Sequence, residues 1–569
     1  MGRFYIGLAT TVHDPALAIV DEAGEVLFAE ATERRLQYKR ALHCIPDEPM
    51  GIGRVIDAHC GQNPELVVAH SWLERRWKSP LFRAGFKIVD RRISPLLAPT
   101  IIGQMNSFDL AGRNLAHRLH ERETGGHILE HRYYDHHLSH AAAACFSSAF
   151  QEAACAVIDA NGEHSSESFF HYIDGAIRPL GRRRLKSFSR NGSLGVFYAG
   201  LCVACGFDPL RGEEWKVMGL APYGKRDDQL YAKMEKLLRV DDIRLVGNNW
   251  QMLQELASMR RPTGVDALEC ADLAHTGQCF FGDLMEELLK NLHNRCPSPR
   301  LVLSGGCALN SAFTGQIKER TPFDQIYVFP APADDGNAVG AALLAQRQDH
   351  PAAAVRDDVL SPYLGSTLRA DALERVETLG GLSPVPCTAE DLPAQVAARL
   401  ADGKILGVAR GRAEFGPRAL GNRSILADPR DADVKDRLNA GVKFREEFRP
   451  FAPAILHEEG PSWFQDYQES PYMERALRFR PEIRERVPGV VHVDGTGRLQ
   501  SVKKEWNPWF HSLLLEFHER SGVPILLNTS FNVMGKPIVH SVEDALSVFF
   551  TSGIDALVLE DKLYDKRAP

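Results

Sequence analysis

Three histidines fall within five residues of the stretch "DHHLSHAAAAC" (135–145), and an apolar strand closing on Asp159 follows in "AVIDANGE". His136 and His140 stand at i and i+4. A helix there puts both imidazoles on one face, within reach of a single metal ion, and turns His137 elsewhere. Carboxylates at Asp159, at the strand end, and at Asp334, in the polar loop "PADDGNAVG", would complete a donor set. Two imidazoles with carboxylates suit iron(II), manganese or zinc, and spacing does not choose among them. The competing reading is a solvated, His-rich helix start.

A second pair, His13-Asp14 in "TTVHDPA", lies in the turn of the first hairpin. His13 there is a candidate general base, with Asp14 orienting it or holding a polar substrate. The plain alternative is an Asx-type turn. A third group is basic: Arg412, Arg418, Arg423, Lys443, Arg445 and Arg449, in "GRAEFGPRALGNRSILADPR" and "VKFREEFRPFAPA". These side chains are interleaved with Gly, Pro and Phe and follow no helical spacing. A lone arginine is most often a surface ion pair. A cluster at loop tips suits bidentate binding of phosphate or carboxylate. It predicts a pocket for a phosphorylated or nucleotide substrate, joined by Arg498 of "DGTGR" and by Asn528 and Ser530 after a strand. Lys216, in "GEEWKVMGLAPYG", either lines a ligand or belongs to a packed turn.

The elements that must position these groups follow one plan. Segments 3–32 and 153–180 each read as strand, polar turn, strand, Gly-containing turn and strand. Segments 299–320 and 321–346 each read as a strand, a polar turn and a helix, and further helices are expected over 227–238 and 271–294. In the third unit Ser304-Gly305-Gly306 turn the chain, and small residues let backbone amides and a helix start approach phosphates. Repetition of these units predicts a duplicated α/β ATPase core. The stretch 347–366 is the expected linker, and a second α/β unit is expected from about 386 to the closing strand in "GVPILLNTSFNVMGKPIV".

Bulk properties set limits. The chain has 569 residues, 44% hydrophobic and 25% charged, enough for several cores. A net charge of −7 argues against a large nucleic-acid surface. The 11 cysteines have no framework spacing, and the single CxxC, Cys202 and Cys205, lacks the second pair of a zinc ribbon. The N-terminus reads as a first strand, and no window is long and apolar enough to span a membrane. The expectation is a cytoplasmic, reduced protein, a monomer or homodimer, with no nucleic-acid or membrane partner.

The motifs "HDPALAIVDEAGEV", "EATERR", "DHHLSHAAAACFSS", "IDANGE", "SLGVFY", "EEWKVMGLAPYG", "LSGGCALN", "ADDGNAVGAAL", "GRAEFGPRALGNRSILADPR", "KFREEFRPFAPA" and "LLNTSFNVMGKPIV" together resemble the O-carbamoyltransferases of nodulation-factor and antibiotic biosynthesis. The resemblance implies two modules. Residues 1–355 would form a Kae1/TsaD-like domain of the actin/Hsp70/sugar-kinase-like ATPase fold, and 356–569 a YrdC/Sua5-like α/β domain. It implies that carbamoyl phosphate and ATP give carbamoyl-adenylate, pyrophosphate and phosphate in the second module. The carbamoyl group then passes to a substrate hydroxyl in the first, with release of AMP. Under it His13 is the base, and Lys443, Arg418 and Arg449 serve the anionic substrates. Ser304, Gly305, Gly306 and Asn310, with Arg418, Arg449 and Ser530, would contact nucleotide, with Mg2+ as a possible companion of ATP. It puts Fe2+ first, then Mn2+ or Zn2+, on His136, His140, Asp159 and Asp334.

The implied acceptor is an antibiotic, with the aminoglycoside tobramycin foremost. Its amines would want carboxylates, for which Asp14, Glu163 and Asp228 stand as candidates, with His164 against the sugar. Two departures touch loop shape: Ala333 stands where the family has Gly before the last-loop Asp, and Ala160 follows Asp159 where Gly is usual. The rival functions are a tRNA threonylcarbamoyl-type enzyme, which wants a basic surface, and a sugar-kinase-like ATPase, which would release ADP.

Overall fold

The computed structural model of the protein describes residues 2–49, 51–73, 110–121, 125–181, 192–352 and 354–566. The expected first domain, 1–355, therefore includes segments outside the described residues. Its first sheet comprises β1 (Arg3–Ala9), β2 (Ala16–Val20), β3 (Val26–Ala31), β4 (Glu65–His70) and β5 (His127–Tyr133), in the order β3-β2-β1-β4-β5. The hairpin strands are antiparallel, and β1, β4 and β5 run parallel. The second sheet uses β6 (Glu152–Ile158), β7 (Glu167–Ile173) and β8 (Ala176–Pro179). A small hairpin of β9 (Leu238–Asp241) and β10 (Arg244–Gly247) intervenes before β11 (Arg300–Ser304) and β12 (Gln325–Val328) complete the sheet. Its order, β12-β11-β6-β7-β8, and its pattern of parallel and antiparallel pairs repeat the first sheet.

This repeated sheet is the duplicated plan of the actin/sugar-kinase-like ATPase fold. The expected strands of 3–32 and 153–180 form. The helix expected after Ser304-Gly305-Gly306 is instead broken into short turns, Gly306–Leu309, Ser311–Thr314 and Ile317–Arg320. Asn310 and Gly315 interrupt it.

The two halves meet through small residues. The helix Asn337–Asp349 packs on β1 at Gly7, where any side chain would collide with the Ala338 carbonyl. On its other side Gly340 sits against Ser139 and Ala143 of the helix His136–Cys145, again with no room for a Cβ. Ala141, Ala142, Ala143 and Ala144 are buried at that seam. The alanine run after the histidines is thus what lets two helices approach closely enough to bring the Asp334 loop against His136.

The third sheet lies wholly in the C-terminal region. Its strands are β13 (Leu406–Ala409), β14 (Arg423–Ala427), β15 (Ala452–Leu456), β16 (Arg475–Arg478), β17 (Thr496–Val502), β18 (Ile525–Ser530), β19 (Ala556–Leu559) and β20 (Lys562–Asp565). They run in the mixed order β16-β17-β15-β18-β14-β13-β19-β20, with a core of its own. This is an additional α/β domain. The helix Ala370–Thr378 already packs on its core through Ala372 and Val376.

Among its described residues, the stretch read as a linker carries no regular element beyond His350, yet it is pinned. Leu360 N–H donates to Ser147, and the Leu364 carbonyl accepts from Ala29. Among the described residues no helix is long and apolar enough to cross a membrane.

Candidate functional site

Asp135 caps the helix His136–Cys145 by accepting from Leu138 N–H at 3.0 Å. That start fixes the phase, so His136 and His140 face inward together. His137 turns to Ser168 Oγ at 2.8 Å, and burial beside His136 pushes its imidazole down to about 3. Asp159 arrives from the end of β6, and Asp334 from the loop before the helix Asn337–Asp349. His136 Nε2 lies 3.4 Å from Asp159 and 3.3 Å from Asp334; His140 Nε2 lies 3.6 and 3.4 Å from the same carboxylates. All four are buried, with ligand atoms within 4.8 Å of one another. The expected donor set is brought together.

Burial opposes every charge in this tetrad, driving imidazoles down and carboxyls up. The mutual contacts override it: Asp159 and Asp334 are held below the usual carboxylate range, and His136 and His140 above the usual imidazole range. The residues fit a divalent cation. His140 Nε2 is buried and lacks a hydrogen-bond partner, and two imidazoles with two carboxylates supply both lone pairs and charge balance.

Outer contacts aim the ligands. Gly306 N–H donates to Asp159 Oδ1 at 3.2 Å, Ser304 Oγ lies 3.5 Å from His140 Nδ1, and Asn337 Nδ2 lies 3.2 Å from His136 Nδ1. The Trp72 ring stacks on His136 at 4.1 Å between centroids. Glu163 accepts from His136 N–H at 2.9 Å and Leu73 N–H at 3.0 Å; burial, with Asp135 nearby, pushes its carboxyl up to about 7.

These contacts revise several expectations. Glu163 is spent on the helix start, so it supports the tetrad from behind and does not offer a carboxylate to an amine. Gly305, at φ 89°, presses on the Ile158 backbone, and the Ser-Gly-Gly turn closes on Asp159. Asn310 caps the turn after it and exchanges hydrogen bonds with Gln278 at 3.0 and 3.1 Å. His164 Nε2 lies 3.7 Å from Asp135. Asp228 is a first-turn helix acid, 89% exposed and paired with Arg226, apart from these contacts.

His13 stands beside the tetrad, with Nδ1 3.0 Å from Asp14 Oδ2 and 3.7 Å from Asp334 Oδ2. Asp14 adopts φ 56° and is clasped by Arg40 at 2.8 Å, which leaves it an orienting partner of His13 and not a free counter-ion for an amine. Burial and Arg40 push the His13 imidazole down, while the Asp14 hydrogen bond and the charges of Asp14 and Asp334 bring it above its ordinary value.

The C-terminal region gathers charge of one sign. Arg418, Lys443, Arg445, Arg449 and Arg498 are electrostatic neighbours. Arg498 is driven well down by burial and by Arg418, Arg445 and Arg449, and Lys443 by burial, Arg445 and Arg449. Burial pushes Arg418 down to about 10, and Arg449 likewise against the pull of Glu446. Arg498 Nε, Arg445 Nη2 and Arg449 Nε are buried without hydrogen-bond partners. Buried donors left open in this way suit an anion.

Lys443 Nζ is steadied by Asn532 Oδ1 at 2.8 Å and Ser530 Oγ at 3.2 Å. Asn528 turns inward to Gln500 at 2.7 Å and the Ala419 carbonyl at 3.2 Å, bracing the loop that carries Arg418. That loop is organised by Glu414, whose carboxylate accepts from Leu420, Asn422 and Arg423 N–H at 2.6, 2.9 and 3.1 Å.

Two arginines of the expected cluster are structural instead. Arg423 is fully buried and donates to the carbonyls of Arg410, Asn422, Ser366 and Gly411. Arg412 reaches back to the Leu27 carbonyl at 2.6 Å and to Gly365 at 3.3 Å. Cys202 and Cys205 are buried free thiols.

The contact between the regions carries no signal in the sequence, because it joins residues 230 positions apart with no shared period. Lys216 Nζ donates to Glu446 at 2.6 Å, and the Arg449 guanidinium lies over the Trp215 ring at 3.6 Å. Lys216 thus belongs to the packed short helix Glu214–Leu220, which also touches the cation cluster.

Comparison with known proteins agrees with this division. Residues 122–343 match the family model for the carbamoyltransferase N-terminus and residues 397–566 that for the carbamoyltransferase C-terminus. Nodulation protein NolNO of Sinorhizobium fredii is 36% identical over 76% of this chain, and the chain spans 64% of that protein's length. Nodulation protein NolO of Bradyrhizobium diazoefficiens is 36% identical, covering 76% of this chain and 79% of its own. The 3'-hydroxymethylcephem-O-carbamoyltransferase of Amycolatopsis lactamdurans is 29% identical, covering 70% and 74%. Among solved structures, full-length HypF in its phosphate- and nucleotide-bound form aligns over 62% of this chain and 56% of its own, at 11% identity and a TM-score of 0.33. With both halves matched and such relatives, the chain belongs to the carbamoyltransferase family, whose members transfer a carbamoyl group.

Proposed function

We propose that the protein is an ATP-dependent O-carbamoyltransferase whose two sites divide the reaction. The observation that carries this reading is the separation of a buried cluster of cations, several with open N–H donors, from a buried His/Asp tetrad. In the C-terminal region Arg418, Arg449, Arg498 and Lys443 bind carbamoyl phosphate and the phosphates of ATP. Carbamoyl phosphate loses phosphate to water and leaves carbamate. A carbamate oxygen attacks the α-phosphorus of ATP, giving carbamoyl-adenylate and pyrophosphate. The cations offset charge as it builds on the phosphoryl oxygens.

In the N-terminal region a substrate hydroxyl attacks the carbonyl of that adenylate. His13, held by Asp14 through Nδ1, takes the hydroxyl proton at Nε2, the carbamate ester forms, and AMP leaves. A divalent metal on His136, His140, Asp159 and Asp334, with Fe2+ before Mn2+ or Zn2+, would supply Lewis-acid stabilisation of negative charge. Residues 1–355 and 356–569 are the proposed bounds of the two parts.

The acceptor is a small hydroxylated molecule, with the aminoglycoside tobramycin as the first compound to assay. Asp14 and Glu163 are already engaged, so amine recognition falls to other acids, with Glu214, 3.8 Å from Arg40, as one candidate. Protein is incubated with ATP and carbamoyl phosphate in the absence of acceptor. Pyrophosphate release that requires carbamoyl phosphate is expected. Release of ADP alone overturns the proposal.

A further inference from the structure

The anion site of the C-terminal region is completed from the N-terminal one. Glu446 sits among Lys443, Arg445 and Arg449, and a free carboxylate there would fill the site that a phosphate should occupy. It is drawn aside. Its Oε1 accepts from Lys216 Nζ at 2.6 Å, and Lys216 is itself buried and held also by Glu213 at 2.9 Å. Glu446 Oε2 keeps a longer contact, 3.2 Å, with Arg449 Nη1. The neighbouring Trp215 offers its ring face to the Arg449 guanidinium at 3.6 Å, which fixes the plane of the fork while using none of its N–H donors. Arg449 Nε is buried and without a partner. Further contacts hold the same surfaces together: Phe207 lies 6.3 Å from Phe448 between ring centroids, and Gly219 faces Pro450.

We infer that Lys216 and Trp215 are positioning residues for the anion site: Lys216 sequesters Glu446, and Trp215 orients Arg449, so the first half-reaction depends on the short helix Glu214–Leu220 of the N-terminal region. The inference rests on the proposed use of that site for phosphates. With Lys216 gone, Glu446 loses its shorter contact and its charge falls wholly on Arg449, which it already touches at 3.2 Å. With Trp215 gone, the guanidinium loses its platform. The conservative Trp215→Phe keeps an aromatic face.

The experiment has two arms, both on the full chain. The first follows carbamoyl-phosphate-dependent pyrophosphate release without acceptor. The second measures binding of inorganic pyrophosphate by calorimetry, which needs no reaction. Lys216→Met is expected to raise the KM for carbamoyl phosphate and the Kd for pyrophosphate by about tenfold, the scale of one charge-assisted contact. Adding Glu446→Gln is expected to restore both to within about threefold, which a merely misfolded loop would not do. Trp215→Ala is expected to weaken both, and Trp215→Phe to recover most of the loss.

Unchanged binding in Lys216→Met, or no recovery in the double variant, overturns the inference. If the wild type forms no pyrophosphate from its substrates, the reaction proposed above falls. The clamp is then still decided by the pyrophosphate-binding arm.

Discussion

The tetrad and the arginine cluster are both buried and both highly charged, but their charges are arranged in opposite ways. At the tetrad two imidazoles face two carboxylates, and each raises or lowers the other toward its charged form. At the cluster cations crowd together, with Glu446 shared between Lys216 and Arg449, and Lys443 and Arg498 are driven down by burial and by the cations beside them. A balanced set of lone pairs and carboxylates is a place for a cation. An unbalanced set of cations is a place for an anion, because burying charge without a partner is costly. The contrast is the ground on which the proposed reaction is divided between the two regions.

The comparison can be broken at either side. Asp334→Asn removes one carboxylate and one charge from the tetrad. We expect loss of bound metal by elemental analysis and a fall of about a thousandfold in carbamoyl transfer, with pyrophosphate formation kept. A matching fall in pyrophosphate formation would erase the distinction. Arg498→Ala removes the most crowded cation of the cluster. Pyrophosphate formation should drop by about a hundredfold or more while metal content stays unchanged.

Two smaller effects sharpen the electrostatic contrast. Glu414 lies in the cationic region, yet it serves backbone N–H groups and not arginines. Glu414→Gln should therefore lower stability by about 1–3 kcal/mol in denaturant titration and weaken pyrophosphate binding. Were it a counter-ion, binding would tighten.

Asp47 is a buried carboxyl held by backbone N–H groups, including Leu115 at 3.1 Å, and burial pushes it up to about 6. The folded form binds its proton more tightly than the unfolded chain does. Its contribution to stability is therefore best at low pH and is lost as pH rises from about 4 through about 6. Asp47→Asn should stabilise the protein by about 1–2 kcal/mol at pH 7 and have little effect near pH 4, read as melting temperature against pH. A variant that is less stable at pH 7 would refute the sign.

Much of this is legible in the amino-acid sequence because it is local. Strand-turn-strand periodicity marks β1–β3 and β6–β8, and helical spacing puts His136 and His140 on one face. Asp159 and Asp334 can be read because ligands favour strand ends and the loops before helices.

What stays hidden depends on distant partners. Gly305 and Gly306 resemble a phosphate cradle by sequence, yet only the packing of β11 beside β6 shows that the turn closes on Asp159. Arg412 and Arg423 have the same surroundings in sequence as Arg418, but they fill rings of carbonyl oxygens that the chain assembles from separate segments. Glu163, Asn337 and Trp215 act through contacts 27, 201 and 234 positions away, and no spacing rule marks them. Strands β4 and β5 are hidden for the same reason: their partners are set by crossovers.

The division between the two regions is tested most directly by His13→Ala. Pyrophosphate release from ATP and carbamoyl phosphate is measured without acceptor, and carbamoylation of an acceptor is measured beside it. Pyrophosphate release is expected to stay within about twofold of wild type, and carbamoylation to fall by at least about a hundredfold, the share of a positioned general base. Equal loss of both activities would contradict the division.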